Sequence, residues 1–300
     1  MRDEALGFRI LCALTGNKLG KFDIPCPLCG PDRRSPINVR RKTMRVWHEQ
    51  PDFITYNCER CKTYGYCHDR KSSIRLDPAR LRHLIKETDD QQAAYMHERR
   101  RKARWLWDGG QPIEGTIAEY YLRNRGITRP LPGTLRFRPA RGQHPPCMLA
   151  AFGVPLERIP GILDVTGMML HGVHITRLKP DGSKAPDSEG RTKLTIGPTM
   201  GLPIVLAPVN DLGGLAVAEG VEDALSLYQA TGMGAWAAGC ANRLPPLACA
   251  VPQYVTSTMI SVDDDEAGRR YAYDLARQLA KIRGKQFEII LFESAARAAA

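Results

Sequence analysis

The segment Leu215–Gly232 reads LAVAEGVEDALSLYQATG, and the segment Met259–Leu279 reads MISVDDDEAGRRYAYDLARQL. Each begins with a short apolar run, which predicts a buried strand, and continues with apolar residues at helical spacing. Strands that alternate with helices in this way indicate a parallel sheet with helices on its faces. The predicted elements are the strands Leu215–Ala218, Gly234–Ala238, Met259–Val262 and Phe287–Phe292 and the helices Val221–Ala230 and Ala267–Arg283.

Acidic residues come directly after two of these strands, where Glu219 follows the first and Asp263–Glu266 the third. Ligands gather at the carboxyl ends of parallel strands, and carboxylates crowded there repel one another unless a hard cation lies between them. The sequence therefore predicts that Glu219, Asp263 and Asp265 bind Mg²⁺, while Asp264 points the other way. The alternative is that Asp263–Glu266 only caps a helix, because a helix N-terminus favours acids. Three neighbouring acids either support these ligands or face solvent: Glu222, Asp223 and Glu266.

Two Cys-x-x-Cys pairs lie near the N-terminus, Cys26 with Cys29 and Cys58 with Cys61. Each pair places two thiolates on one tight turn, and two such turns can complete a tetrahedral Zn²⁺ site. A β module of this size has too little core to fold without a metal. A structural zinc site is therefore predicted, the alternative being four unrelated buried thiols. Cysteines without partner spacing are predicted core residues: Cys12, Cys147, Cys240 and Cys249.

The cysteine module also combines cations with the aromatic residues Trp47, Phe53 and Tyr56. A basic sheet that carries aromatic side chains is typical of platforms for single-stranded DNA. The alternative is a solvated charged face above aromatic residues that fill the core. The cations are Arg33, Arg34, Arg40, Arg41, Lys42 and Arg45.

The rest of the chain is predicted as short elements on either side of a long helix. Residues 1–20 form a helical lead-in, with Leu6, Ile10, Ala13 and Leu14 on one face. The other predicted elements are the strands Ile37–Trp47, Asp52–Asn57, Met168–Leu178 and Lys193–Ile196 and the helices Asp77–Trp107 and Thr116–Arg125. The predicted domains are a zinc module (1–75), a helical linker (76–126), a basic mixed α+β subdomain (127–212), a catalytic domain (213–293) and a frayed tail (294–300).

Charge and hydropathy restrict the function classes. The chain has 43 Lys and Arg against 32 Asp and Glu, and the net charge of +11 favours a polyanionic partner. No run approaches the roughly 18–20 apolar residues of a membrane span, and the first residues do not form a secretion signal. A cytoplasmic protein with reduced thiols is therefore expected, with no membrane partner.

The segments EGVEDALSLYQATG and SVDDDEAGRRYAYDLARQL resemble the Toprim domain that topoisomerases, bacterial-type primases and some nucleases share. The matching features are Glu219-Gly220 after the first strand and Asp263-x-Asp265 followed by Ala-Gly. With the N-terminal cysteine pairs, the chain resembles phage- and plasmid-type DNA primases. The middle segments ARWLWDGGQPIEGTIAEYYLRNRGI and GVHITRLKPDGSKAPDSEGRTKLTIGP are similar to stand-alone or helicase-fused members of that group.

This resemblance implies an α/β fold with a Toprim-type parallel sheet flanked by helices. A mixed α+β subdomain and an N-terminal zinc-ribbon-like β module would precede it. It also implies Mg²⁺ or Mn²⁺ at Glu219, Asp263 and Asp265, and phosphate contacts from Lys193 first, then Arg177 and Lys184. The zinc ligands depart from the mixed cysteine–histidine set of many bacterial primases.

The partners that the resemblance implies are single-stranded DNA and ribonucleoside triphosphates. No GxxxxGK[ST] motif occurs, so a replicative helicase would have to act in trans. Two other functions fit the same residues: a Toprim nuclease, and a non-catalytic, zinc-bearing accessory protein that binds single-stranded DNA. A topoisomerase would also need a nucleophilic tyrosine in a separate domain, for which 300 residues leave little room.

Overall fold

The structure, a computed structural model, describes residues 6–31, 36–61, 63–69, 78–154, 156–159, 162–164 and 170–293. The chain divides into two compact units, Met1–Tyr95 and Met96–Ala300. The long helix α3 (Pro78–Asp108) includes the boundary. Its predicted cap Asp77, the cations Arg33 and Arg34 and the tail 294–300 lie outside the described residues.

The first unit is built on a four-stranded antiparallel sheet in the order β1-β2-β3-β4. Its elements are α1 (Phe8–Leu14), β1 (Gly20–Pro25), α2 (Pro36–Arg40), β2 (Lys42–Gln50), β3 (Phe53–Cys58) and β4 (Tyr64–His68). The predicted strand Ile37–Trp47 is wrong in its first part, because the chain forms α2 there and enters the sheet at Lys42. Pro36 explains the difference, since its fixed φ suits the first position of a helix.

The helical lead-in exists as α1, but its predicted apolar face is wrong at Ile10, Ala13 and Leu14. Leu11 is fully buried and Leu6 nearly so, whereas Ile10 and Leu14 are each more than 40% exposed. A helix of seven residues presents only one or two positions to its neighbour, so the packing of Leu11 decides which face is buried.

The second unit contains the C-terminal part of α3 and, after it, an antiparallel sheet in the order β10-β9-β6-β5. Its elements are α4 (Ile117–Arg123), β5 (Leu135–Arg138), β6 (Cys147–Phe152), β7 (Leu156–Ile159), β8 (Ile162–Asp164), β9 (Gly172–Arg177) and β10 (Lys193–Ile196). Strands β7 and β8 form a separate antiparallel pair. The predicted strand Lys193–Ile196 is confirmed to the residue. Of the predicted strand Met168–Leu178, β9 covers Gly172–Arg177, and Met168 and Met169 lie outside the described residues.

A five-stranded sheet in the order β11-β13-β12-β14-β15 completes this unit, and all its pairs are parallel except β11 with β13. Its elements are β11 (Ile204–Ala207), β12 (Gly214–Ala218), α5 (Val221–Thr231), β13 (Gly234–Ala237), β14 (Ser257–Val262), α6 (Glu266–Arg283) and β15 (Glu288–Glu293). Two short 3-10 helices, Ala241–Arg243 and Pro245–Cys249, precede β14. The predicted parallel α/β fold is therefore confirmed.

Both faces of this sheet are buried. On β12, Ala216 and Ala218 pack into a core that includes α4 and α5, whereas Leu215 and Val217 pack into a second core that includes α6. A parallel sheet covered by helices on both sides explains why the strand is a continuous apolar run. Side chains therefore reach solvent beyond the ends of these strands, where the predicted acids lie. Among the described residues, no helix combines the length and apolar character needed to cross a bilayer.

Candidate functional site

The four predicted zinc ligands converge. Sulfur Sγ of Cys26 lies 3.8 Å from that of Cys61, and Sγ of Cys29 lies 3.8 Å from that of Cys58. All four sulfurs lie within 4.8 Å of one another. A tetrahedron with Zn–S distances of about 2.3 Å has S–S edges of about 3.8 Å, so the cluster fits a structural zinc ion.

The local fold holds these thiols in place. Cys26 follows β1 and Cys58 ends β3, so each pair begins where a strand of the sheet stops. The Gly30 N–H donates to the Cys26 carbonyl at 2.8 Å and closes the first turn. A Cβ atom on residue 30 would lie 2.5 Å from that carbonyl oxygen, so the turn requires glycine.

The four cysteines predicted to be core residues differ from one another in burial. Cys147 is buried, and Cys12 and Cys240 are partly buried. The prediction of a core position is wrong for Cys249, which is exposed at the end of a 3-10 helix.

A groove of about 500 Å³ lies on the first unit. Trp47 and Tyr56 line it, whereas Phe53, the third predicted aromatic, is buried and stacks on Tyr66. A hydrogen bond of 2.9 Å joins Asn57 on β3 to Gln92 on α3 at the groove. Its cations and further aromatic residues are Arg41, Lys42, Arg45, Tyr64 and Tyr95. Stacking surfaces and cations therefore share one concave surface with the carboxylates of Asp23 and Glu59, of which Asp23 pairs with Arg45 at 2.8 Å.

In the second unit, β12 and β14 are parallel neighbours, with Val217 opposite Ile260. Glu219 and Asp263 follow directly after these strands, so the backbone places both at the same edge of the sheet. Asp265 caps α6, because its side chain accepts the Gly268 N–H at 2.7 Å. In the structure, Asp265 therefore acts as the helix cap that the alternative interpretation predicts.

Asp264 pairs with Arg269 at 2.6 Å on the surface. Within the described residues, the four cysteines are the one group of three or more ligating side chains that is close enough to share an ion. The predicted metal ligands at this edge of the sheet do not form such a group: Glu219, Asp263 and Asp265.

Glu222, in the first turn of α5, is 4% exposed and lies at the centre of a charged cluster. Its Oε1 lies 3.2 Å from Lys184 Nζ, and its Oε2 lies 3.2 Å from Lys193 Nζ. The Tyr121 hydroxyl donates a hydrogen bond to Oε1. Two of the three predicted phosphate-binding residues therefore share one carboxylate, which the sequence did not indicate because acids in the first turn of a helix are usually solvated.

The charge states in this cluster follow from burial and contact. Burial raises the pKa of Glu222, but Lys193, Lys184 and the Tyr121 hydrogen bond outweigh it and hold that pKa well below its usual value. Burial and the Glu222 charge raise the pKa of Tyr121. Burial and the nearby Lys193 lower the pKa of His174 to about 3. At neutral pH, Glu222 is charged while Tyr121 and His174 are neutral.

Arg177, the third predicted phosphate ligand, belongs to a different set of contacts. Its Nη1 donates to the Arg191 carbonyl at 2.9 Å and lies 3.3 Å from Asp187 Oδ2. Asp187 also accepts from the Arg191 guanidinium at 2.8 Å. Arg177 therefore supports the loop before β10, and the structure does not bring it to Glu222.

Comparison with known proteins gives two family matches. Residues 97–206 match a domain family of unknown function, and residues 214–295 match the Toprim domain family. No curated protein matches the chain.

Two solved structures show a distant likeness, each at 13% sequence identity. A DNA primase domain from Pseudomonas aeruginosa aligns with a TM-score of 0.41 over 65% of this chain and 71% of that chain. The Aquifex aeolicus primase, with its zinc-binding and RNA polymerase domains, aligns with a TM-score of 0.36 over 93% of this chain and 74% of that chain. The chain therefore contains a Toprim domain: the family match covers residues 214–295, and the helices and strands of this segment follow the order β12–α5–β13–β14–α6–β15, with the two 3-10 helices before β14.

Proposed function

We propose that the chain is a DNA primase, which synthesises short RNA primers on single-stranded DNA by metal-dependent nucleotidyl transfer. The observation that carries this proposal is the order of two modules: a four-cysteine cluster near the N-terminus, followed by a Toprim domain over residues 214–295. This is the order of modules in the phage- and plasmid-type primases that the sequence resembles.

We assign Glu219, Asp263 and Asp265 as ligands of Mg²⁺ or Mn²⁺. Carboxylate oxygens are the ligands that hard cations prefer, and Glu219 and Asp263 follow neighbouring parallel strands. A bound divalent ion supplies charge stabilisation to a phosphoryl group under attack.

We assign Lys193 and Lys184 to the phosphates of the incoming ribonucleotide. Both ammonium groups lie beside the first turn of α5, the helix that follows Glu219. A lysine ammonium is a compact point charge that suits phosphate oxygens. Arg177 is assigned to a further phosphate, which would have to replace Asp187 as its partner.

We assign the groove on the first unit to the single-stranded template. Base stacking on aromatic side chains is tolerant of sequence and contributes about 1–3 kcal/mol per base, and flanking cations neutralise the backbone. Trp47, Tyr56 and Arg41 supply both kinds of contact. A helicase acting in trans would supply the single strands.

The test is a primer-synthesis assay on mixed single-stranded templates with labelled ribonucleotides, with and without Mg²⁺. Asp263→Ala should abolish primer synthesis and leave the fold intact, because it removes a proposed metal ligand. Asp264→Ala is the matched control, since that carboxylate forms an exposed ion pair with Arg269, and it should keep wild-type activity.

Primer synthesis by Asp263→Ala at the wild-type rate would contradict the assignment. Cleavage of the template without primer synthesis would identify a nuclease. Binding of single-stranded DNA that is indifferent to Mg²⁺, with no labelled product from the wild-type chain, would identify a non-catalytic accessory protein.

A further inference from the structure

The Glu222 carboxylate is fully engaged by side chains from other elements. Lys184 lies in the connection between β9 and β10, where it bridges to Leu178, and Lys193 is the first residue of β10. Tyr121 comes from α4. Glu222 itself belongs to α5, so one carboxylate connects the antiparallel sheet to the Toprim domain.

The cluster carries more positive than negative charge. Two ammonium groups face one carboxylate, while Tyr121 and His174 are neutral at neutral pH because burial displaces their pKa values. The side chains of Lys184 and Lys193 are 24% and 31% exposed, so solvent reaches both. Each ammonium has three donors and directs one at Glu222. The remaining donors and the net positive charge suit an anion with several acceptor oxygens.

A purely structural ion pair would not require two lysines at one buried carboxylate. Burying charges is costly, and a buried ion pair is often no more stabilising than apolar residues of the same volume. A single lysine would already neutralise Glu222. The second lysine adds a charge that the protein itself does not compensate within these contacts.

We infer that Glu222 is a positioning residue that holds the ammonium groups of Lys184 and Lys193 side by side to receive the phosphates of a nucleoside triphosphate. The identity of that ligand rests on the proposed function. Glu222 does not touch the substrate; it restricts both flexible side chains to one geometry before the phosphates arrive, which reduces the entropy lost on binding.

The titration of Lys184 reports its contact with Glu222, and the binding of phosphates tests whether that contact positions the ammonium group for a ligand. The charged and titratable groups that face Lys184 are Glu222 of α5, Lys193 of β10, Tyr121 of α4 and Arg125, which lies just after α4. Burial lowers the pKa of Lys184, and the charge of Glu222 opposes that effect. When Glu222 is neutral, the pKa of Lys184 falls further, so the ammonium loses its proton at lower pH.

The experiment compares the wild-type chain with Glu222→Gln, an isosteric change that keeps an acceptor for Tyr121. We expect the KM for ribonucleotides to rise about tenfold or more, since a charge-assisted hydrogen bond contributes about 1.5–3 kcal/mol. The alkaline limb of primer synthesis should move to lower pH. The control Glu119→Gln breaks an i,i+4 pair with Arg123 on α4 and should change neither quantity.

A second measurement does not depend on primer synthesis. Calorimetry measures the binding of inorganic triphosphate to each full-length chain, and NMR follows the Lys184 Cε resonance, assigned with Lys184→Arg, as pH rises. Weaker binding and earlier Lys184 titration in Glu222→Gln support the inference even where no chain makes primers, in which case only the primase proposal fails. Wild-type binding and titration in Glu222→Gln would overturn it.

A second variant is used if Glu222→Gln does not fold. Lys193→Gln leaves Glu222 paired with Lys184 and should lose most of the binding of inorganic triphosphate. Binding equal to that of the wild-type chain would overturn the inference.

Discussion

At the residue scale, Asp265 combines a structural contact with a proposed chemical one. Its side chain accepts the Gly268 N–H and so satisfies one of the unpaired donors at the start of α6. The same residue is assigned to the divalent ion with Glu219 and Asp263. The two roles differ in what they require, because capping needs a short acceptor and metal binding needs a negative charge.

Substitution of Asp265 can separate these roles. Asn caps a helix as well as Asp does, so Asp265→Asn should leave the free energy of unfolding unchanged while primer synthesis falls about 100-fold. Asp265→Ala should lose the same activity and about 1 kcal/mol of stability. Denaturant unfolding and the primer assay measure the two effects. Wild-type synthesis by Asp265→Asn would restrict this residue to capping.

At the scale of elements, the sheet of the first unit places alternate residues of β2 on different surfaces. Met44 and Val46 are fully buried in the core that contains the cysteines, whereas Arg45 and Trp47 line the groove. This alternation follows from the two-residue period of a strand. Because α2 ends at Arg40, the register of β2 begins at Lys42 and directs Trp47 to the groove.

Removal of one stacking surface tests the groove. Trp47→Ala should weaken the binding of single-stranded oligonucleotides about 5- to 150-fold, which corresponds to about 1–3 kcal/mol. The control is Trp105→Ala, which removes an exposed tryptophan beside Arg138 in the second unit and should leave affinity unchanged. Fluorescence anisotropy measures both. Equal weakening in the two variants would argue against template binding in the groove.

At the scale of the whole molecule, the two compact units have separate apolar cores. One core contains residues from Leu6 to Cys67, among them the four cysteines, and the other three contain residues from Ala103 onward. The small core around the cysteines is the one that a metal would stabilise. The cores of the second unit contain no group of three or more converging metal ligands among the described residues.

Removal of zinc should therefore act on one unit. A chelator, or Cys58→Ser, should abolish the cooperative unfolding of Met1–Tyr95 and leave the unfolding of Met96–Ala300 in place, because metal binding contributes directly to the folding of small modules. Calorimetry with zinc analysis measures this. Cys249→Ser changes an exposed thiol and should have no effect. Simultaneous loss of both transitions would show that the units do not unfold independently.

The local pattern of residues was enough to predict the four-cysteine cluster and the parallel sheet of residues 214–293. Paired thiols on tight turns and apolar runs alternating with helices are short-range features, and they determine local structure directly. A local pattern could not predict the burial of Glu222, because its partners come from other parts of the chain: Tyr121, Lys184 and Lys193. A charged residue in the first turn of a helix is solvated unless distant elements pack over it, and only the tertiary structure decides that.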